Sequence, residues 1–410
     1  MVLLRTNRLL VSDILATLTV AMLPWSTSVF QVLLLMWLYS VLFLRTVAWS
    51  SIPGILRQPL CLLPLAIFLL AVVGMAWSQA PWQAMSLSIR SADKFLALPF
   101  ILYHFERSHR SGWVFAAFLA SCSALLILSW VEFYFPELKL AARKADGIPV
   151  KNYINQSQEL ALCMIAMAPV TMALFKQKRT WLALAATGLI ALFFANIIYV
   201  SAARTALLYV PAMLGLFALK YLDRRQSLLL LLAVVVVAIG VSMTSSFFKE
   251  RTAAVSREYE LYLQNVPEST GLRLEYWQKS LRFFAEAPII GHGTGSAEGL
   301  FLRDAVGKEG LEAVVTRNPH NQTLAMAIQW GLIGVILLYA MWIVHLQLFR
   351  GNSFACWIGA LVVTQNIFSS LLNSHLFDFH EGWMYVVGVG ICGGVVRRAA
   401  RQDEGRYPSY

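Results

Sequence analysis

The sequence predicts an all-α fold: a polytopic integral membrane protein of about twelve transmembrane helices with one large helical loop on the outer face. Three observations predict it. Hydrophobic residues make up 58% of the chain and charged residues 13%, with a mean hydropathy of +0.63. A soluble domain carries roughly 25% charge, so a chain this apolar cannot cover itself with a water-facing surface. Apolar runs close to the roughly 20 residues of a bilayer crossing recur along the chain. They do not alternate apolar with polar residues, as membrane β-strands do.

The spans read as 11–24, 27–48, 59–77, 92–105, 112–135, 157–175, 180–200, 204–222, 226–247, 319–347, 352–372 and 379–396. The first and fourth are short, which suggests tilted or partly interfacial segments. This divides the chain into membrane helices over 1–247, a loop with amphipathic helices over 248–318, further membrane helices over 319–396 and a tail over 397–410. The five cysteines all fall inside apolar runs without CxxC spacing, so neither a disulfide framework nor a zinc site is indicated. The basic N-terminus is followed by no small-residue cleavage site and reads as the start of the mature chain.

Lys and Arg concentrate in cytoplasmic loops of membrane proteins. With the N-terminus inside, the inner segments contain Arg5, Arg8, Arg45, Arg57, Arg107, Arg110, Lys176, Lys178, Arg179, Lys220, Arg224, Arg225, Arg350, Arg397, Arg398 and Arg401. Every inner loop is then basic and both termini are cytoplasmic. Several cations remain on the outer side: Arg90, Lys94, Lys139, Arg143, Lys144, Lys151 and Arg204. A cationic outer face beside lipid suggests an anionic ligand, with lipid-headgroup contact as the alternative for the 139–151 cluster.

Within the long loop, residues 251–263 mix apolar and charged residues at helical spacing. Residues 270–287 read as a second amphipathic helix, with Leu274, Trp277, Leu281 and Phe284 on one stripe and Arg273, Glu275, Lys279 and Arg282 elsewhere. Pro288 should end it. The run Gly291-His292-Gly293-Thr294-Gly295 lacks the Lys-Ser/Thr of a phosphate-binding loop and follows no strand, so a glycine turn is expected and no nucleic acid or nucleotide partner. Pro319 suits the first turn of the next helix, with Asn318 as its cap. His320 would then lie at the outer boundary near the positive end of the helix dipole, where the neutral imidazole is favoured. A neutral His is what a general base requires, although a capping or interfacial histidine fits the same position. Arg204, isolated between two apolar runs, is either a functional membrane arginine or one that snorkels to the interface.

These residues resemble a known family. The Arg204-Thr-Ala junction, the Gly271-Leu-Arg273-Leu-Glu-Tyr-Trp277 helix with its Phe-Ala-Glu-Ala-Pro-Ile-Ile-Gly ending, and the Asn318-Pro-His320-Asn321 entry into a Gly-Leu-Ile-Gly span are similar to the O-antigen ligase and polymerase superfamily. The resemblance covers roughly 190–345 by motif and the whole chain by span count. It implies an inverting, metal-independent glycosyltransferase with a GT-C-like membrane fold and no cofactor. Such ligases transfer a polysaccharide from undecaprenyl pyrophosphate to a sugar of lipid A–core at the periplasmic face of the Gram-negative inner membrane. By position, Arg204 and Arg273 match the family's essential arginines and His320 its essential histidine, the general base, with Asn321 following it. Arg90 and Lys94 match a basic site near an early span, and Lys151 joins them as a substrate-binding candidate.

The chemistry of the residues agrees. Outside the cytoplasm no nucleotide sugar is available, so a glycosyl donor there must arrive activated on a lipid. Fixed arginines stabilise a pyrophosphate leaving group without metal, and an acceptor hydroxyl benefits from a base positioned to take its proton. His375, Asp378, His380 and Glu381 in the last outer turn look like a ligand set, but interfacial polar residues near the acceptor are the expected reading. Glu132 and Glu159 are candidates for orienting a basic group. An O-antigen polymerase with the same lipid-linked donor is the nearest alternative, followed by a protein-directed oligosaccharide ligase. A lipid transporter or flippase is the alternative of a different class, disfavoured by the absence of internal repeats or a mid-membrane charged path.

Overall fold

The computed structural model describes residues 2–43, 52–139, 145–201, 203–244, 253 and 257–403. Arg45, Arg143, Lys144 and Arg251 fall outside them. The described residues are helical with no strand, as a chain of apolar runs requires: in lipid, a helix satisfies its own backbone polar groups.

Chain order begins with α1 (Val2–Met22), α2 (Thr27–Phe43), α3 (Ile52–Leu56) and α4 (Pro59–Val73). Then come α5 (Trp82–Ala92), α6 (Leu98–Phe105), α7 (Ser111–Tyr134), α8 (Tyr153–Lys176) and α9 (Thr180–Asn196). After α10 (Ala206–Tyr221) and α11 (Arg224–Thr244), the long loop contains α12 (Ser269–Glu286) and α13 (Ala297–Ala305). The last helices are α14 (Gln322–Leu348), α15 (Phe354–Ser369) and α16 (Phe379–Asp403). Among the described residues, seven helices are long and apolar enough to cross a membrane, and four shorter apolar ones join them at Leu9–Met22, Thr27–Leu42, Ala206–Tyr221 and Phe354–Ser369. The chain is therefore an all-α multi-pass membrane protein.

These helices account for every expected span but the fourth. Residues 92–105 are not one crossing helix: a 3₁₀ turn over Asp93–Ala97 links α5 to the eight-residue α6. The turn forms where the chain delivers Lys94 into the protein interior.

The core runs along α16, of which 78% of the apolar window is buried, packed against α6 and α15. In α11 only 6% of the corresponding window is buried, so this helix stands at the periphery. Away from the long loop, two buried carboxylates tie helices to basic residues. Asp13 accepts from Ser108 and Arg110, and Glu106 from Arg397.

One span is broken. Within α14, Gly331 has φ 59° and ψ −152°, interrupting the helix. The glycine turn repairs the break from outside. His292 and Gly293 N–H donate to the carbonyls of Ile328 and Gln329 at 2.9 Å each. Leu332 and Ile333 N–H donate in turn to Pro288 and Ile289 carbonyls at 2.8 and 3.3 Å. Four backbone groups left unpaired by the break are thus paired by the loop, the condition under which irregular backbone survives inside a bundle. Gly291 has φ 66°, and a Cβ there would lie 2.5 Å from the backbone of Gln329 and Trp330, so only glycine allows this approach.

Two further expectations need correcting. The helix after the loop starts at Gln322 rather than Pro319, and its cap is Asn321, whose side chain accepts from Leu324 N–H. On α12, Leu281 is exposed while Lys279, Ser280 and Phe283 are buried. Lys279 is drawn inward because Asp304 at 3.0 Å and the Glu312 carbonyl receive its ammonium, so charge pairing overrides the hydropathy stripe.

Candidate active site

The loop-bearing end of the bundle gathers three of the expected residues. Arg204 lies in the turn between α9 and α10. Immediately before it, α9 widens into a π-helical turn over Ile197–Ser201, a distortion that recurs at functional positions. A buried amide network holds that turn. Gln156 donates toward Asn196 at 3.0 Å, Ser129 at 2.9 Å and Ser201 at 3.2 Å, while Asn196 donates to Ser129 at 2.8 Å. The turn directs the Arg204 guanidinium onto Glu258, with two bonds of 2.7 and 2.9 Å. Glu258 also accepts from Thr270 N–H at 3.0 Å, which joins the start of α12 to the pair. The Arg204 bonds hold the Glu258 carboxyl down to about 2.

Arg273, one turn into α12, is different. It is half-buried, and its guanidinium has no hydrogen bond or ion pair with a described residue. Burial lowers its pKa from the ordinary arginine value, and the Arg204 charge lowers it further. A cation held beside a second cation, with Glu258 acting on it only at a distance and no ion pair to a described residue, is an electrostatic site for an anionic ligand.

His320 precedes α14 and has φ 53°, a left-handed conformation costing a non-glycine residue about 1–2 kcal/mol. Asn318 maintains it: its side-chain oxygen accepts from His320 N–H at 2.9 Å and from the Ser374 hydroxyl at 2.7 Å. The ring stacks against Tyr276 of α12, with centroids 6.0 Å apart and planes 24° from parallel. Its Nδ1 lies 2.9 Å from Asn373 Oδ1. The Asn373 amide is itself oriented, because Nδ2 donates to Asp378 at 3.2 Å and Oδ1 accepts from Asn318 at 3.2 Å. An amide oxygen only accepts, so His320 Nδ1 carries the proton and the neutral ring presents Nε2 as a base. Burial lowers the His320 pKa below 6.5; the Asn373 bond works against this, and the Arg273 charge adds to it.

The other candidates have different positions. Lys94 is 2% exposed, and its ammonium donates to the carbonyls of Leu376, Phe377 and Asp378 at 3.2, 3.2 and 2.6 Å. Lys151 contacts the Leu23 carbonyl and His380, and His380 contacts Glu159. Lys94 pins the segment that leads into α16, and Lys151 meets the first turn of α16 itself. Asn321 caps α14 and donates to the Leu371 carbonyl at 3.0 Å, anchoring that same segment. Arg90 stands apart on α5, exposed and unpaired among the described residues.

Of the last-turn polar cluster, His375, Asp378 and Glu381 bring ligand-type atoms within 4.8 Å of one another. These atoms already bond within the protein: His375 to Asp378 at 3.2 Å, Asp378 to Asn373, and Glu381 to Asn155. The cluster thereby orients Asn373, and through it His320. Sequence reasoning missed Glu258, Thr270, Asn373 and Tyr276 as parts of the site. Asn373 had one available signal, since Asn373-Ser374-His375 is a polar run inside the short turn between two apolar spans.

The fold and the site define an all-helical, multi-pass membrane protein whose loop-bearing end holds two arginines and a histidine. The model of the O-antigen ligase family matches residues 189–339, the stretch that carries Arg204, Arg273 and His320, and over that stretch the chain is similar to this family. A protein of Haemophilus influenzae described as uncharacterized is 25% identical over 191 residues, which are 43% of this chain and 48% of that protein. The chain spans about half the length of this curated relative.

Proposed function

We propose that this protein is an O-antigen ligase, transferring O-antigen polysaccharide from undecaprenyl pyrophosphate to lipid A–core at the periplasmic face of the inner membrane. The observation that carries the proposal is Arg273, a half-buried guanidinium with no hydrogen bond or ion pair to a described residue, within electrostatic reach of both Arg204 and the oriented His320. In this reading Arg273 and Arg204 receive the donor's pyrophosphate. The acceptor hydroxyl oxygen attacks the anomeric carbon while the carbon–oxygen bond to phosphate breaks, and that electron pair leaves on the pyrophosphate. The hydroxyl proton passes to His320 Nε2. One displacement inverts the anomeric configuration. The two guanidiniums lie where negative charge grows, so the leaving group needs no metal.

The test supplies purified protein with lipid-linked O-antigen and lipid A–core. Polysaccharide on the core is the expected product. A longer lipid-linked chain with no core product would reject the ligase reading in favour of a polymerase.

A further inference from the structure

A groove of 770 Å³ lies between α2, α5 and the start of α16. Its walls are apolar: Leu34, Leu35, Leu38 and Leu42 from α2, Phe100 from α6 and Trp383 from α16. Leu35, Leu87 and Leu96 in its lining are 67%, 42% and 43% exposed, so the groove opens sideways where lipid would stand. Its lining on α2 runs from Gln31 to Leu42. That is ~16 Å of helix, about half of the ~30 Å hydrocarbon core. The groove therefore has the depth of one leaflet.

Its mouth is charged. Arg90 projects there unpaired among the described residues, Asp93 opposes it, and the Lys94 ammonium behind adds a second positive charge. Leu87, Ser91 and Phe377 also border a second cavity of 270 Å³, which continues to Asn318, Pro319 and Asp378. Asn318 and, through Asn373, Asp378 are the groups that frame His320. The two cavities thus share Leu87, Ser91 and Phe377, and the second reaches Asn318, whose side chain holds the His320 backbone.

We propose that this groove seats an acyl chain of a phosphorylated lipid, with the phosphate at Arg90, and that it is the route by which the acceptor reaches His320. The depth favours ordinary acyl chains over a long polyprenyl chain, and the exposed Arg90 guanidinium at the mouth favours an anionic head. The acceptor assignment rests on the ligase reading above; lipid occupancy of the groove does not.

The full chain is placed in phosphatidylcholine nanodiscs with phosphatidic acid or diacylglycerol, each carrying a diazirine on an acyl chain, and adducts are mapped by mass spectrometry. Phosphatidic acid should label α2 between Leu34 and Leu42 and Trp383, and diacylglycerol should label them roughly fivefold less, the factor one basic group at an anionic lipid contributes. Arg90→Glu, on an exposed side chain, should remove that preference. Leu38→Trp should block labelling by both lipids. Equal labelling by the neutral lipid, or displacement of the adducts by undecaprenyl pyrophosphate, would overturn the proposal. In the transfer assay, Leu38→Trp should raise the acceptor KM about tenfold with donor affinity unchanged. An unchanged acceptor KM would overturn the route while leaving the lipid seat intact. Labelling as expected with no transfer by the unsubstituted chain would instead reject the ligase reading.

Discussion

Lys94 and Arg273 are both cations drawn below the surface at the same end of the molecule, and their surroundings are opposite. Lys94 has three carbonyl acceptors for its three N–H donors. Arg273 has five donors and no acceptor among the described residues. A buried cation with every donor occupied holds the structure together, whereas one with empty donors is prepared for something that arrives. Charge does not separate the two roles; the count of partners does.

The sharpest way to break this comparison is to exchange the phenotypes. Arg273→Ala should lower transfer by about 10²–10³, the usual effect of losing one preorganised charge donor, and leave the melting temperature unchanged. Lys94→Met should do the reverse, because three buried carbonyls lose their donor at about 1–3 kcal/mol each. Its melting temperature should fall by many degrees, while any folded fraction still binds an undecaprenyl-pyrophosphate analogue. A stable Lys94→Met protein that cannot bind the analogue would assign Lys94 to the donor site after all.

A smaller effect concerns the base that Arg273 faces. Neutral His320 is the reactive form, and burial places its pKa below 6.5. Transfer should therefore be level through neutral pH and decline only on the acid side of 6.5, as the ring takes a second proton. Asn373→Asp puts an acceptor carboxylate on Nδ1, which favours the imidazolium and raises the pKa. Its acid limb should move to higher pH, and an unmoved limb would remove His320 from the rate-determining protonation. The smallest effect should come from Lys151→Met, which loosens one of several contacts on the first turn of α16. A drop of a few degrees in melting temperature with unaltered donor affinity is expected; lost affinity would extend the donor site to Lys151.

The span pattern was legible because hydropathy decides which helices can exist in lipid. It could not show which of them lipid touches: α11 and α16 both read as spans, yet one is peripheral and the other central. Arg204 and His320 stood out because each is polar at the margin of an apolar run, whereas Arg273, inside an amphipathic loop helix, stood out only through the family resemblance. The roles of Lys94 and Lys279 were hidden, since what makes a buried ammonium tolerable is carbonyls and carboxylates far away in sequence. The break at Gly331 was hidden for a related reason. Residues 319–347 read as one continuous span, and the partner that permits the interruption lies some forty residues earlier, in a turn recognisable only as glycine-rich.

That turn also bears on how the site can move. Arg273 lies on α12 and His320 at the head of α14, and the hydrogen bonds from 288–293 to 328–333 fasten the end of one helix to the middle of the other. Base and cation are therefore mounted on a single bracket, and their separation cannot widen without breaking backbone bonds away from water. Admission and release of bulky lipid-linked chains must then be handled by elements outside the bracket. The reacting groups thereby keep a fixed gauge from one turnover to the next.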